Sequence, residues 1–357
     1  MAVSLLIYCL TFLTISNLKL SYSQTISTVV VFGDSYSDPY QALGDLSNKI
    51  MWPIQLVNRL EGSPKLHDYA YNGAHANNGL TNFTDKVPDT RDQTKEFLND
   101  LESGINSLDA IWVETCGPQP DHRAGASDRN DALFLEAIRR TDRQINEVRD
   151  QILGLSSTLS EKGKGELASI VVTTPHVSSA PMQKGYVNDW SKGNQKLAKD
   201  YLNLLDIIIE HYNDGLKRVF KELELDVGRR NLNVRVYDVV ELWNRVRNSP
   251  SDYGIKDIEG RCLDGSNVCK DPDQFFYWDY IHLSPKLQIL IAEEIINVQE
   301  LSSQAKLNLL TNTEDESGQS SDQRKLISKQ ERPYSAFRDY QYPQDFGIEP
   351  HLVKQVP

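Results

Sequence analysis

Two short constellations carry residue types that can do chemistry. The first is Phe32-Gly33-Asp34-Ser35-Tyr36-Ser37-Asp38, directly after an apolar, β-branched run from Thr28 to Phe32. Sites in open parallel sheets form outside the carboxyl ends of the strands, and a serine introduced by glycine there is placed like a nucleophile. A serine hydroxyl is a poor nucleophile and needs an adjacent base. The competing reading is capping, because Ser and Asp ahead of a helix are common N-caps. The second constellation is Phe276-Tyr277-Trp278-Asp279-Tyr280-Ile281-His282, just before the last helical pattern. An aspartate three residues ahead of a histidine can hold the imidazole within one turn. The carboxylate fixes the tautomer and stabilises the imidazolium, while the other ring nitrogen takes the serine proton. Ser35, Asp279 and His282 are thus candidates for nucleophile, orienting acid and base. His75 and His176 stand near the ends of other candidate strands. Either would line a pocket there, although such residues are more often ordinary loop histidines. The chain has no HExxH, no cysteine set with zinc spacing, no GxGxxG and no P-loop, so neither a metal nor a nucleotide cofactor is indicated.

Something must position those residues, and the periodicity says what. Thr28–Phe32, His67–Tyr71, Asp109–Thr115, Leu167–Thr174 and Val234–Val240 read as strands. Met51–Leu60, Thr94–Leu101 and Leu287–Val298 read as helices, and two longer ones are centred on Phe134–Ile152 and Leu197–Leu216. Strands alternating with helices predict a parallel sheet covered on both faces. One α/β domain spanning about 24–303 accounts for every periodic segment.

Lys plus Arg is 38 and Asp plus Glu is 50, a formal charge of −12. An acidic chain repels phosphate backbones, so nucleic acid is not an expected partner. The apolar run from Val3 to Ile15 is uncharged and too short to span a bilayer as a helix. Ser21-Tyr22-Ser23 follows it with a small-x-small pattern, so residues 1–23 are read as a secretory signal peptide. The expected location is extracellular, with no membrane span. In an oxidising compartment Cys262 and Cys269, which flank a short polar loop, are expected to pair, and Cys116 is left odd. Asn82-Phe83-Thr84 is a glycosylation sequon. From 304 to 357 the chain turns polar and reads as a disordered tail, with Tyr334, Phe337, Tyr340, Tyr342 and Phe346 able to dock it.

Gly33-Asp34-Ser35 near one end of the domain and Asp279-x-x-His282 near the other resemble the GDSL, or SGNH, hydrolases. The secreted fungal and plant branch, which includes carbohydrate acetyl esterases, is the most similar. Tyr69-Ala70-Tyr71-Asn72-Gly73-Ala74 is similar to the family's second block, whose glycine gives a backbone N–H to the oxyanion hole. Ile111-Trp112-Val113 resembles the strand that carries the third block, and Asn248–Ile255 a segment that precedes paired cysteines. The resemblance implies a three-layer α/β/α sandwich around a five-stranded parallel sheet of flavodoxin-like order. It also implies a cofactor-free serine esterase acting on small acyl groups, acetyl foremost, carried by polysaccharides or oligosaccharides. Ser35 and Gly73 would supply oxyanion N–H groups.

The third block departs from the family pattern, Gly-x-Asn-Asp. The aligned residues are Glu114-Thr115-Cys116-Gly117, and a thiol in place of the asparagine amide is a weak donor. Three readings stay open: two backbone donors suffice at reduced rate; Gln119 or His122 substitutes; or the scaffold binds carbohydrate with little or no catalysis. Retention of serine, aspartate and histidine speaks for an enzyme.

Overall fold

In a computed structural model of the chain the described residues are 26–38, 51–80, 87–103, 110–114, 130–162, 168–225 and 233–297. The expected signal peptide, Asn82, Cys116, Gln119, His122 and the polar tail lie outside them.

Five strands form one sheet: β1 (Thr28–Phe32), β2 (Lys65–Asp68), β3 (Ala110–Glu114), β4 (Ala168–Val172) and β5 (Asn233–Tyr237). Their order is β2-β1-β3-β4-β5 and every pairing is parallel. The chain winds one way from β1 to β2 and the other way from β1 to β3. The strand order therefore reverses beside the carboxyl end of β1, the kind of position at which such sheets bind ligands.

The helices are α1 (Trp52–Arg59), α2 (Thr90–Ser103), α3 (Asn130–Glu161), α4 (Pro181–Trp190), α5 (Gln195–Leu225), α6 (Val239–Asn248) and α7 (285–297). Side chains of a strand alternate between faces, so a run such as Val29-Val30-Val31-Phe32 needs apolar cover on both. Val29 and Val31 pack with Trp52 and Leu56 of α1, Leu242 and Trp243 of α6, and Leu287 and Ile291 of α7. Val30 and Phe32 pack with Phe97 and Leu101 of α2, Ile145 and Val148 of α3, and Tyr212 and Leu216 of α5. The sheet thus separates two apolar clusters.

Element ends differ from the periodicity where polar side chains intervene. α2 starts at Thr90 rather than Thr94 because Asp89 Oδ1 accepts from the N–H groups of Arg91 (3.1 Å) and Asp92 (3.2 Å). β2 occupies Lys65–Asp68 rather than His67–Tyr71, since Ala70 N turns onto Asp68 Oδ1 at 2.9 Å. The expected fifth strand to Val240 stops at Tyr237. Asp238 caps α6 by accepting from Val240 N at 3.1 Å, so Val239 and Val240 begin a helix that an unbroken apolar run concealed.

Two small sheets follow. β6 (Asp257–Arg261) pairs in parallel with β9 (Phe275–Tyr277), and β7 (Leu263–Asp264) forms a hairpin with β8 (Asn267–Val268). The disulfide Cys262–Cys269 closes that hairpin, as the sequence led us to expect.

Phe97 is fully buried between Phe32 and Tyr69, with ring centroids 5.7 and 5.8 Å away. Phe97→Ala is expected to destabilise the domain by about 3–5 kcal/mol, read as a lower denaturant midpoint at unchanged slope.

Candidate active site

The chain leaves β1 through Gly33 and makes a single helical turn. Asp34 O accepts from Ser37 N and Asp38 N, both at 3.0 Å, and Asp34 Oδ1 accepts from Tyr36 N at 2.9 Å. Capping is therefore done by Asp34. Ser35 Oγ makes no hydrogen bond among the described residues, which removes the capping reading for that hydroxyl. Ser37 and Asp38 are buried and anchor the turn from below. Ser37 Oγ accepts from Trp52 Nε1 at 3.1 Å, and Asp38 Oδ2 accepts from Asn72 N at 2.9 Å.

That last bond ties the serine turn to the loop of Gly73. Tyr71 N donates to Gly33 O at 3.1 Å, and Ala74 N closes a turn onto Tyr71 O at 2.9 Å. Gly73 sits in this turn at φ +80°, a left-handed conformation that a side chain disfavours. Asn72 N is occupied by Asp38, while the peptide of Gly73 stands one residue further on.

The histidine comes from the opposite end of the domain. β9 lays Phe276 and Tyr277 into the core against Trp243, with ring centroids 4.7 and 5.9 Å from it. A tight loop then runs from Trp278 to His282, closed by Trp278 N donating to His282 O at 2.8 Å. Inside it Asp279 Oδ2 lies 2.7 Å from His282 Nδ1. Asp279 Oδ1 accepts from Ile281 N (2.9 Å) and His282 N (2.8 Å). Burial pushes the Asp279 carboxyl up, but the hydrogen bond and charge of His282 and the two backbone N–H groups outweigh it. The group is held below the usual carboxylate value. With Nδ1 on the carboxylate, Nε2 is the nitrogen left for chemistry. It is buried and has no hydrogen-bond partner among the described residues.

The two ends meet around Ser35. Tyr36 Oη donates to Ile281 O at 2.9 Å, and the Tyr36 ring lies 5.8 Å from the imidazole, centroid to centroid. On the other side of Ser35, burial pushes the Asp34 carboxyl up to about 6, opposed by the Tyr36 N–H and the charge of His282. Both neighbours of Ser35 thus engage the histidine loop.

Of the other singled-out residues, His75 is buried, and burial lowers its imidazole against the pull of Asp89. His176 follows β4 and points Nδ1 at Asp206 Oδ1 of α5, 3.0 Å away, while Ser178 Oγ donates to the same carboxylate. Glu114 ends β3 in register with Val172. Among the described residues no three His, Cys, Asp or Glu side chains are grouped to hold a metal ion, and no helix is long and apolar enough to cross a membrane. Sequence reasoning missed Asp38, Gln93 and Asp206. Asp38 stood inside the quoted motif, but its partner Asn72 is distant in sequence.

The pattern of the family GDSL-like Lipase/Acylhydrolase matches residues 29–295. Similar solved structures include a carbohydrate acetylesterase family member from Sinorhizobium meliloti, 14% identical over 77% of this chain and 98% of that one, with a TM-score of 0.37. A Bacillus subtilis protein is 17% identical over 79% of this chain and 57% of its own, with a TM-score of 0.38. An extracellular lipase from Streptomyces rimosus is 13% identical over 61% of this chain and 82% of its own, with a TM-score of 0.33. No curated protein matches the sequence. The match over most of the domain, which takes in the Gly33-Asp34-Ser35 turn and the Asp279–His282 loop, makes the chain a member of the GDSL lipase/acylhydrolase family, an ester-bond hydrolase.

Proposed function

We propose that the chain is a secreted serine esterase that removes small acyl groups, acetyl foremost, from carbohydrates. Its scaffold is the three-layer, flavodoxin-like sandwich. The observation that carries the reading is the His282 ring: Nδ1 committed to Asp279, Nε2 buried with no hydrogen-bond partner among the described residues, and the ring beside that of Tyr36, the neighbour of Ser35. Ser35 Oγ attacks the ester carbonyl as Nε2 takes its proton. The carbonyl oxygen becomes an oxyanion held by the N–H groups of Ser35 and Gly73. The tetrahedral adduct collapses to an acyl-enzyme, and the imidazolium, stabilised by Asp279, returns the proton to the leaving alcohol. Water, deprotonated by Nε2, then attacks the acyl-enzyme and releases the acid and Ser35. The N-terminal apolar segment and the Cys262–Cys269 bond support secretion.

A second reading, a carbohydrate-binding protein with little or no turnover, is favoured by Glu114 and Cys116 in place of the family's glycine and asparagine. Loss of one oxyanion donor costs on the order of 10²–10³ in kcat in other hydrolases.

Asp34 adds a pH dependence. A carboxyl raised from 3.8 to about 6 on folding keeps its proton in the folded state where the unfolded chain has lost it. Its contribution to stability is full below about 3.8 and is lost as pH rises through about 6.

Hydrolysis of p-nitrophenyl acetate by the purified chain is expected to fall at least about 10³-fold in Ser35→Ala. Wild-type turnover in that variant would refute the serine mechanism. Background rates in both proteins, rising when Glu114→Gly and Cys116→Asn are introduced together, would establish the second reading. In urea titrations between pH 4 and 6, Asp34→Asn is expected to lack a loss of stability with rising pH, at most about 3 kcal/mol, that the parent shows. Identical pH slopes would refute the burial of that carboxyl.

A further inference from the structure

The peptide of Gly33, two residues before Ser35, is gripped by a side chain to which the chemistry assigns no role. Gln93 of α2 is fully buried. Its Oε1 accepts from Gly33 N and its Nε2 donates to Gly33 O, both at 2.9 Å. The amide therefore acts as one residue of an adjoining strand, at the point where β1 leaves the sheet. Nε2 also donates to Pro88 O at 3.2 Å, which fixes the amide's orientation relative to the start of its own helix.

The same helix end holds the glycine loop. Thr90 N donates to His75 O at 3.0 Å, and Thr90 Oγ1 donates to Ala76 O at 3.1 Å. Gly33 O accepts from Tyr71 N as well as from Gln93. The first turn of α2 is thus bonded to both backbone segments that would present N–H groups to an oxyanion.

We propose that Gln93 is a positioning residue that sets the spacing of the Ser35 and Gly73 N–H groups. The proposal rests on Ser35 as nucleophile. An oxyanion hole works only when its donors lie within hydrogen-bond reach of the developing charge. Misplacement of a reacting group by about 1 Å costs on the order of 10²-fold in rate. Without Gln93, Gly33 N and O lose a buried partner at the root of the turn, while the bonds of Tyr71 N to Gly33 O and of Asn72 N to Asp38 still join the turn to the glycine loop.

The fold supplies its own control. Asn213 of α5 is equally inaccessible and makes the same two-point pair with Thr174, accepting from its N at 2.9 Å and donating to its O at 2.8 Å. Thr174 lies at the exit of β4 and carries no part of the proposed oxyanion site. A merely structural amide at a strand exit behaves as Asn213 does.

The experiment compares Gln93→Ala and Asn213→Ala in the full chain, with melting temperature, kcat and KM for p-nitrophenyl acetate and the pH profile of kcat/KM. Both variants are expected to melt lower. Gln93→Ala is expected to lose about 10–100-fold in kcat with KM and pH profile unchanged, while Asn213→Ala keeps its kcat. If Gln93→Ala does not fold, Gln93→Met reads the same loss, because it keeps the volume but offers Gly33 neither the amide acceptor nor the amide donor. Parental kcat in a folded Gln93 variant would overturn the proposal, as would an equal kcat loss in Asn213→Ala. If Ser35→Ala keeps the parental rate, the serine reading fails first and the proposal falls with it.

Discussion

The rest of the structure depends on β1 being immovable. Its residues Val29, Val30, Val31 and Phe32 are all buried, and they alternate into two separate apolar clusters. Slipping the strand by one residue would exchange the faces of every side chain and break both clusters together. Gly33 is therefore delivered to one place at the rim of the sheet. Beyond the regular ladder, Tyr69 N donates to Val31 O at 2.8 Å and Tyr71 N to Gly33 O at 3.1 Å, so the neighbouring strand's path is copied outward from β1. The serine turn and the glycine loop inherit their relation from this extension of the sheet, with Asp38 and Gln93 fastening it from either side.

The histidine half is built on different principles. β9 is only three residues long and belongs to a two-stranded sheet with β6, so it has no large ladder to lock it. Aromatic packing does the work: Phe276 and Tyr277 are buried edge-on against Trp243. Hydrogen bonds from Cys262 N to Tyr277 O and from Leu263 N to Trp278 O join the disulfide-closed hairpin to the histidine loop. Ser284 N then bonds Phe276 O, and α7 carries the chain away. His282 is thus held at both ends by backbone bonds, and its ring is held by Asp279.

What could be read from the sequence follows from what is local. Asp279 and His282 meet within one turn, so their spacing alone announced the pair. Strands β1, β3 and β4 announced themselves by apolar runs, and the disulfide by a short polar loop between two cysteines. Elements decided by a single polar atom were not legible: the start of α2 at Asp89, the end of β2 at Asp68, and the helix hidden behind Asp238. α4 and the β6–β9 pair carried no clear period. Gln93 was invisible for another reason. A glutamine on a helix looks like solvent-facing surface, and only the fold shows that its amide completes a strand sixty residues earlier.

Tyr36 Oη and Ile281 O, 245 residues apart, are hydrogen-bonded. Synthesis runs from the serine end, so the whole main sheet can form on the ribosome before the histidine loop emerges from the tunnel. Until then Tyr36 lacks its partner carbonyl, and contacts of such long range close late in folding. On the serine mechanism proposed above, hydrolytic competence would wait for the histidine loop. A fragment released before that loop, however well its sheet has formed, would lack the Asp279–His282 pair.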